Sequence, residues 1–233
     1  MASVALVGGD GSGKTTIASY FVQSSKVPSK YLYMGLSTLK SKPAFPSTLL
    51  IRYLKIRTYT ESSNTSESQT ESKSFMEQYH HNQTKRSDLW HAIRSLNYLI
   101  DVLYRQIFSW VYQIQGYLVI YDRYFLFMTA PEYRGTQRVK RHWIDNALYW
   151  IFDRLYPKPD LVVFLDAPPE TLYARKPEGN LDYLEKRRIA TIEQGRKMHN
   201  FVILDATQSL ENVKIEFEKV ILDTFSKKRE AYQ

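Results

Sequence analysis

Apolar positions along the chain fall into two patterns. Short, continuously apolar runs occur at Ser3 to Gly8 (SVALVG), Tyr31 to Gly35 (YLYMG), Leu118 to Asp122 (LVIYD), Leu161 to Asp166 (LVVFLD) and Phe201 to Asp205 (FVILD). Runs this short, rich in Val, Ile and aromatics, suit strands covered on both faces, as in a parallel sheet. Helical periodicity separates them and predicts helices at Gly13 to Ser25, Arg86 to Gln115, Val139 to Tyr156, Leu181 to Met198 and Leu210 to Phe225. Alternating strands and helices predict an α/β fold.

In the longest of these helices, Leu89, Ile93, Leu96, Ile100, Leu103, Ile107, Trp110 and Ile114 recur at steps of four and three. They form one apolar stripe, expected to pack into the core. Val102, Phe108 and Val111 extend the apolar surface, so a homodimer through residues 86–115 is the sharper alternative. Arg94, Tyr98, Asp101 and Arg105 share another face, roughly 150° from the stripe, and are expected to face solvent. Upstream, residues 36–89 form an atypical insert. Pro43 and Pro46 precede a basic apolar stretch, and 58–74 is almost wholly Ser, Thr, Glu, Asn and Gln. That composition buries too little apolar surface to offset ordering entropy, so 58–74 is expected to be a flexible loop.

With 233 residues and 43% hydrophobic content, the chain supports one sizeable core and is read as a single domain over 1–233. The formal charge of +8 fits a phosphate-rich partner or simple solubility. The basic clusters Lys186, Arg187, Arg188 and Lys227, Lys228, Arg229 lack the interleaved aromatics of a single-strand groove, so nucleic acid is not the expected partner. The chain has no cysteine, which excludes disulfides, thiolate metal sites and cysteine nucleophiles. His80 and His81 are adjacent and His91, His142 and His199 stand alone, so no helical zinc pair is present. The first apolar run is too short and too poorly flanked for a signal peptide, and no run is long enough to span a membrane. A soluble, cytoplasmic protein is the expectation.

The strongest chemical signal is Gly8-Gly9-Asp10-Gly11-Ser12-Gly13-Lys14-Thr15, a match to G-x-x-x-x-G-K-[ST] directly after a predicted strand and before a predicted helix, with Thr16 following. Glycines let successive amides turn inward around phosphates, and the helix adds its positive end. Lys14 is expected to reach the β and γ phosphates of ATP, and the Thr15 hydroxyl to ligate magnesium.

This loop, together with Tyr121-Asp122-Arg123-Tyr124 and the segment from Leu165-Asp166-Ala167-Pro168-Pro169-Glu170 to Glu185, resembles the thymidylate kinase family. The resemblance implies a P-loop NTPase fold, three α/β/α layers around a five-stranded parallel sheet, and ATP- and magnesium-dependent phosphoryl transfer to a nucleoside monophosphate, dTMP by family. It implies that Asp10 faces the acceptor sugar and the metal, that Arg123 holds the acceptor phosphate, and that Asp122 orders magnesium or its waters. Asp122, Asp166 and Asp205 all end strands, so spacing alone does not choose among them. The following Arg123 favours Asp122, and Asp166 is expected to cap the helix starting near Pro168.

By the same resemblance, residues 174–188 form a lid. Gly11 stands where some members place an arginine, so Arg175 is the expected catalytic cation, with Lys176, Arg187 and Arg188 as further candidates. Ala206 and Thr207 fall where related kinases enclose adenine. The acceptor side departs from the family. Met34-Gly35-Leu36 replaces Arg-Glu-Pro, Asp101 replaces an arginine, and Phe127-Met128-Thr129-Ala130 replaces Ser-x-x-Ala-Tyr-Gln-Gly. Arg94, Tyr98 and Arg105 are the remaining candidate acceptor contacts. Two alternatives stay open: a P-loop kinase for a nucleoside, a nucleic-acid 5′ end or a sugar-like metabolite, and a nucleotide-binding module without efficient catalysis.

Overall fold

A computed structural model describes residues 2–35, 43–50, 53, 88–124, 127, 150, 154, 156–177 and 180–230. The apolar runs become β1 (Ala2–Gly8), β2 (Ser29–Tyr33), β3 (Leu118–Asp122), β4 (Leu161–Asp166) and β5 (Phe201–Asp205). They form one sheet in the order β2-β3-β1-β4-β5, parallel at every pairing. The described helices are α1 (Lys14–Ser24), α2 (Asp88–Ile114), α3 (Pro169–Arg175), α4 (Leu181–Gly195) and α5 (Leu210–Glu230). The expected helix at Val139 to Tyr156 and the polar loop 58–74 lie outside the described residues.

Side chains alternate across each strand, so the sheet feeds two cores. Val4, Leu6, Ile120 and Val163 face α1 and α5, where Ile17, Phe21, Val213, Phe217 and Ile221 close the layer. Phe21 and Phe217 meet edge to face at 5.4 Å. Ala5, Val7, Val119, Tyr121, Val162 and Phe164 face the other way, toward Val102 of α2. These are the three α/β/α layers and the five-stranded parallel sheet that the sequence implies. Truncating Phe217 to alanine removes an almost fully buried ring and costs about 3–5 kcal/mol.

α2 turns opposite to expectation. Leu96, Ile100, Leu103, Ile107, Trp110 and Ile114 are exposed, Ile114 by 72%, whereas Asp101, Val102, Arg105, Gln106 and Ser109 are buried. The physical reason is the polar demand beneath the helix. Arg105 donates to the Tyr33 and Gly35 carbonyls as β2 ends, at 2.7 and 3.2 Å, and Ser109 shares a 2.6 Å hydrogen bond with the Tyr121 hydroxyl. Those buried groups need partners, and apolar side chains could not supply them.

β1 lies at the centre of the sheet, with β3 on one side and β4 on the other. The carboxyl ends of β1, β3 and β4 therefore open a crevice where the connections diverge, the position at which open α/β sheets bind ligands. Gly8, Asp122 and Asp166 all stand at that edge.

Candidate phosphate-binding and metal site

β1 ends in the glycine loop and α1 starts at Lys14, with Gly13 as N-cap in the left-handed region at φ 87°. No side chain caps α1, so its first amides remain available to an anion at the helix's positive end. Gly8 is required by a close approach: a Cβ there would lie 2.8 Å from the Leu165 carbonyl oxygen and from the Ser12 Oγ. Lys14 folds back over the loop, donating from Nζ to the Gly9 carbonyl at 2.5 Å and to the Ser12 hydroxyl at 3.3 Å. Burial and then the neighbouring Arg123 charge lower its pKa to about 8, against the opposing pull of Asp10 and Asp122. Thr16 is exposed on the first helical turn.

Asp10, at the loop's tip, ion-pairs with Arg123 from the end of β3 and lies 3.7 Å from Arg187 of α4. Burial by itself would raise the Asp10 pKa. The charges of Arg123, Lys14 and Arg187 outweigh it and hold the carboxyl well below the ordinary carboxylate range. Arg123 has a backbone φ of 70°, rare for a residue with a side chain, while its amide donates to the Leu6 carbonyl at 3.0 Å. Such conformations are retained where surrounding structure over-determines them, and they gather at functional sites. Three cations and one carboxylate thus converge on the loop, an arrangement suited to a polyanion.

Asp122 is 1% exposed. Its Oδ2 accepts from the Thr15 hydroxyl at 2.6 Å and from the Tyr31 hydroxyl at 2.8 Å, whereas Oδ1 is buried without a hydrogen-bond partner. A buried, unsatisfied carboxylate oxygen beside a threonine hydroxyl at a phosphate loop fits a magnesium ion or its bound water. Among the described residues no group of three or more His, Cys, Asp or Glu side chains gathers elsewhere, so a metal here would rely on Thr15, Asp122, nucleotide oxygens and water. Burial, followed by the Asp122 charge, raises the Tyr31 pKa far above its ordinary value, so the phenol remains a donor.

Arg175 and Lys176, at the end of α3, pack against the loop, with their Cβ atoms 3.5 and 3.4 Å from where a Gly11 Cβ would stand, and the Arg175 guanidinium donates to the Ala206 carbonyl at 2.8 Å. Ala206 is buried, and beside it Thr207 donates from both its amide and its hydroxyl to Asp205. Arg175 therefore sits with the segment expected to enclose adenine. Arg187 of α4 also stands beside the loop, 3.7 Å from Asp10. Asp166 does not cap α3, whose N-cap is Pro168 without a side-chain bond. Instead both Asp166 oxygens accept from Arg188, at 2.6 and 2.8 Å, and this pair ties α4 to the end of β4.

The acceptor side is least like its expectation. Arg105 does not open into the crevice. It is 1% exposed and holds Asp101 at 2.7 Å beneath the end of β2. Asp101 in turn accepts from the Phe45 amide at 2.9 Å. The Arg94 and Tyr98 side chains lie outside the described residues. Sequence reasoning missed Tyr31 as a functional neighbour because an aromatic in a strand reads as core. Only the register, Tyr31 opposite Ile120 and Tyr33 opposite Asp122, reveals its reach.

Comparison with known proteins agrees with this geometry. The family model described as thymidylate kinase matches residues 46–216, beginning after the phosphate loop. A probable thymidylate kinase of Archaeoglobus fulgidus is 34% identical over 113 residues, 46% of this chain and 54% of that protein. Probable thymidylate kinase 1 of Saccharolobus solfataricus is 29% identical over 119 residues, 48% and 59% of the two chains. The thymidylate kinase of Thermosipho africanus is 26% identical over 148 residues, 60% and 70% of the two. The matched part spans little more than half the length of the first two relatives.

Proposed function

The chain belongs to the thymidylate kinase family, and from that premise we propose that it transfers the γ-phosphoryl group of ATP to a nucleoside monophosphate, with dTMP as acceptor. The observation that carries the reading is the convergence of Lys14, Arg123 and Arg187 on Asp10 at the phosphate loop. Three cations gathered on one carboxylate at a glycine loop suit a polyanionic substrate.

On this reading the loop amides and Lys14 hold the β and γ phosphates of ATP. Arg123, released from Asp10, grips the acceptor phosphate with its planar fork, while Asp10 turns to the acceptor sugar. Arg187 closes with α4 onto the transferring group, and Arg175 with Ala206 and Thr207 borders the adenine. Thr15 and Asp122 would hold magnesium, which neutralises phosphate charge when bound. The protein's contribution is alignment, charge complementarity and exclusion of water, since phosphoryl transfer needs little covalent help.

The uncharged α2 face supports a second copy of the chain as its partner. From Gln106 to Tyr117 there is no Asp, Glu, Lys or Arg, so two copies meeting there bury no charge from that segment. No described helix is long and apolar enough to cross a membrane.

The deciding experiment is a coupled ADP-release assay with ATP, magnesium and a panel of monophosphates including dTMP and dUMP, with Lys14→Ala as blank. Stimulation by dTMP that disappears in the variant is the expected result. ATP binding without stimulation by any monophosphate would refute the transfer reaction.

A further inference from the structure

Tyr31 stands on β2, an edge strand that contributes nothing to the glycine loop. In the β2–β3 register it lies opposite Ile120, two residues before the Tyr33–Asp122 pair. Two strand residues rise about 6.6 Å, comparable to the length of a tyrosine side chain, and strand side chains lean along their strand. The phenol therefore reaches the level of Asp122 and donates to its Oδ2 at 2.8 Å, beside the Thr15 hydroxyl at 2.6 Å.

The consequence lies in which oxygen is left over. Two donors fix the carboxylate through Oδ2, and Oδ1 remains buried and unpartnered. Thr15 gives its single proton to Oδ2, so its lone pairs point away from Asp122. One threonine oxygen and one carboxylate oxygen are then free as ligands. Thr15 alone could not hold this orientation, because engaging a metal pulls on the same hydroxyl. Tyr31 comes from β2, outside the phosphate loop, and lies against both the Thr15 hydroxyl and Asp122, so it keeps hold of the carboxylate when that hydroxyl turns to a metal.

We propose that Tyr31 is a positioning residue for magnesium–nucleotide binding, orienting Asp122 so that Oδ1 faces the metal or its bound water. The inference rests on the nucleotide-binding reading above, and its test separates the two. Mn2+ is titrated onto protein saturated with a non-hydrolysable ATP analogue, with free Mn2+ read by electron paramagnetic resonance. The wild type and Tyr31→Phe are compared, and affinity for the analogue is measured separately without metal.

Tyr31→Phe is expected to weaken Mn2+ binding about tenfold, the usual loss when a group orienting a metal ligand is removed. Metal-free analogue affinity is expected to stay within twofold. A general structural defect would lower both together, which would overturn the proposal, as would equal Mn2+ affinity in the two proteins. If the wild type itself binds no Mn2+ with the analogue, the phosphotransferase reading falls and this inference with it. Should Tyr31→Phe lack a folding transition, Tyr31→Gln takes its place, with weaker Mn2+ binding supporting the proposal and wild-type affinity overturning it.

Discussion

Lys14 is held charged where the ligand-free protein pays for it, so Lys14→Met is expected to stabilise the free protein while abolishing its response to ATP. Methionine nearly matches the lysine stem in volume and carries no charge. The lysine is 5% exposed and its pKa falls from 10.5 to about 8. That difference corresponds to about 3 kcal/mol of unfavourable interaction for the charged form. Against this, the variant loses bonds to the Gly9 carbonyl and the Ser12 hydroxyl, together worth about 1–2 kcal/mol. The net expectation at pH 7 is a gain of about 1–2 kcal/mol.

The pH dependence gives an independent check. Between pH 8 and 10.5 the unfolded chain keeps the Lys14 proton that the folded chain has released, so wild-type stability rises with pH across that window. Lys14→Met has no such group. Titrations uncoupled to Lys14 cancel in the difference, and the wild type gains about 2–3 kcal/mol from pH 7 to pH 10, so the variant's advantage should disappear by pH 10. Urea denaturation at both pH values measures it. With ATP at 100 times its dissociation constant, the wild type should gain about 2.7 kcal/mol and the variant nothing. A variant less stable than wild type at pH 7, or a gap unchanged at pH 10, would refute the electrostatic account of the lysine.

Other substitutions test other parts of the structure. A Cβ at Gly35 would lie 2.6 Å from the Arg123 Cδ and closer still to the Tyr33 phenol, so Gly35→Ala is expected to displace Arg123. KM for the monophosphate should rise about tenfold, the cost of one charge-assisted bond, with ATP affinity unchanged, and unchanged acceptor kinetics would remove Arg123 from that role. Arg105→Met leaves the Asp101 carboxylate buried without its cation and should lower stability by about 3 kcal/mol in urea denaturation. A loss under 1 kcal/mol would refute the Arg105–Asp101 pair as a support of the fold. Ile107→Glu places a charge on the exposed α2 face and is expected to convert a dimer to a monomer in light scattering, whereas a monomeric wild type would exclude the homodimer.

The fold was legible because burial on both sheet faces leaves continuous apolar runs. All five strands fall where such runs occur, with β2 beginning two residues earlier than its run, at Ser29. The glycine loop was legible for a related reason: Gly8 and Gly13 have positive φ, and a Cβ at Gly8 would meet the Leu165 carbonyl oxygen, so the turn from β1 to α1 requires glycine. Tyr31 was harder to see, and Arg187 was only one of several basic candidates, since their positions depend on strand register and helix rotation. Tyr31 looks apolar in sequence until the register brings its hydroxyl to Asp122.

α2 shows how a sound rule gave the wrong face. Helical periodicity identifies a stripe of like residues but not which side meets the protein, and the usual answer assumes that the buried neighbours are apolar. Here β2 ends with the Tyr33 and Gly35 carbonyls turned toward the helix, and only a donor such as Arg105 satisfies them. Burying Arg105 then requires Asp101 one turn away, and Asp101 also binds the Phe45 amide at the start of the next segment. The polar face is thereby committed inward, and the apolar stripe is left outside because the two faces cannot both be buried against one sheet. Arg105 also holds the Gly35 carbonyl, and Gly35 stands against Arg123. The orientation of α2 therefore follows from how the chain leaves β2, where two carbonyls require a buried donor and that donor requires Asp101.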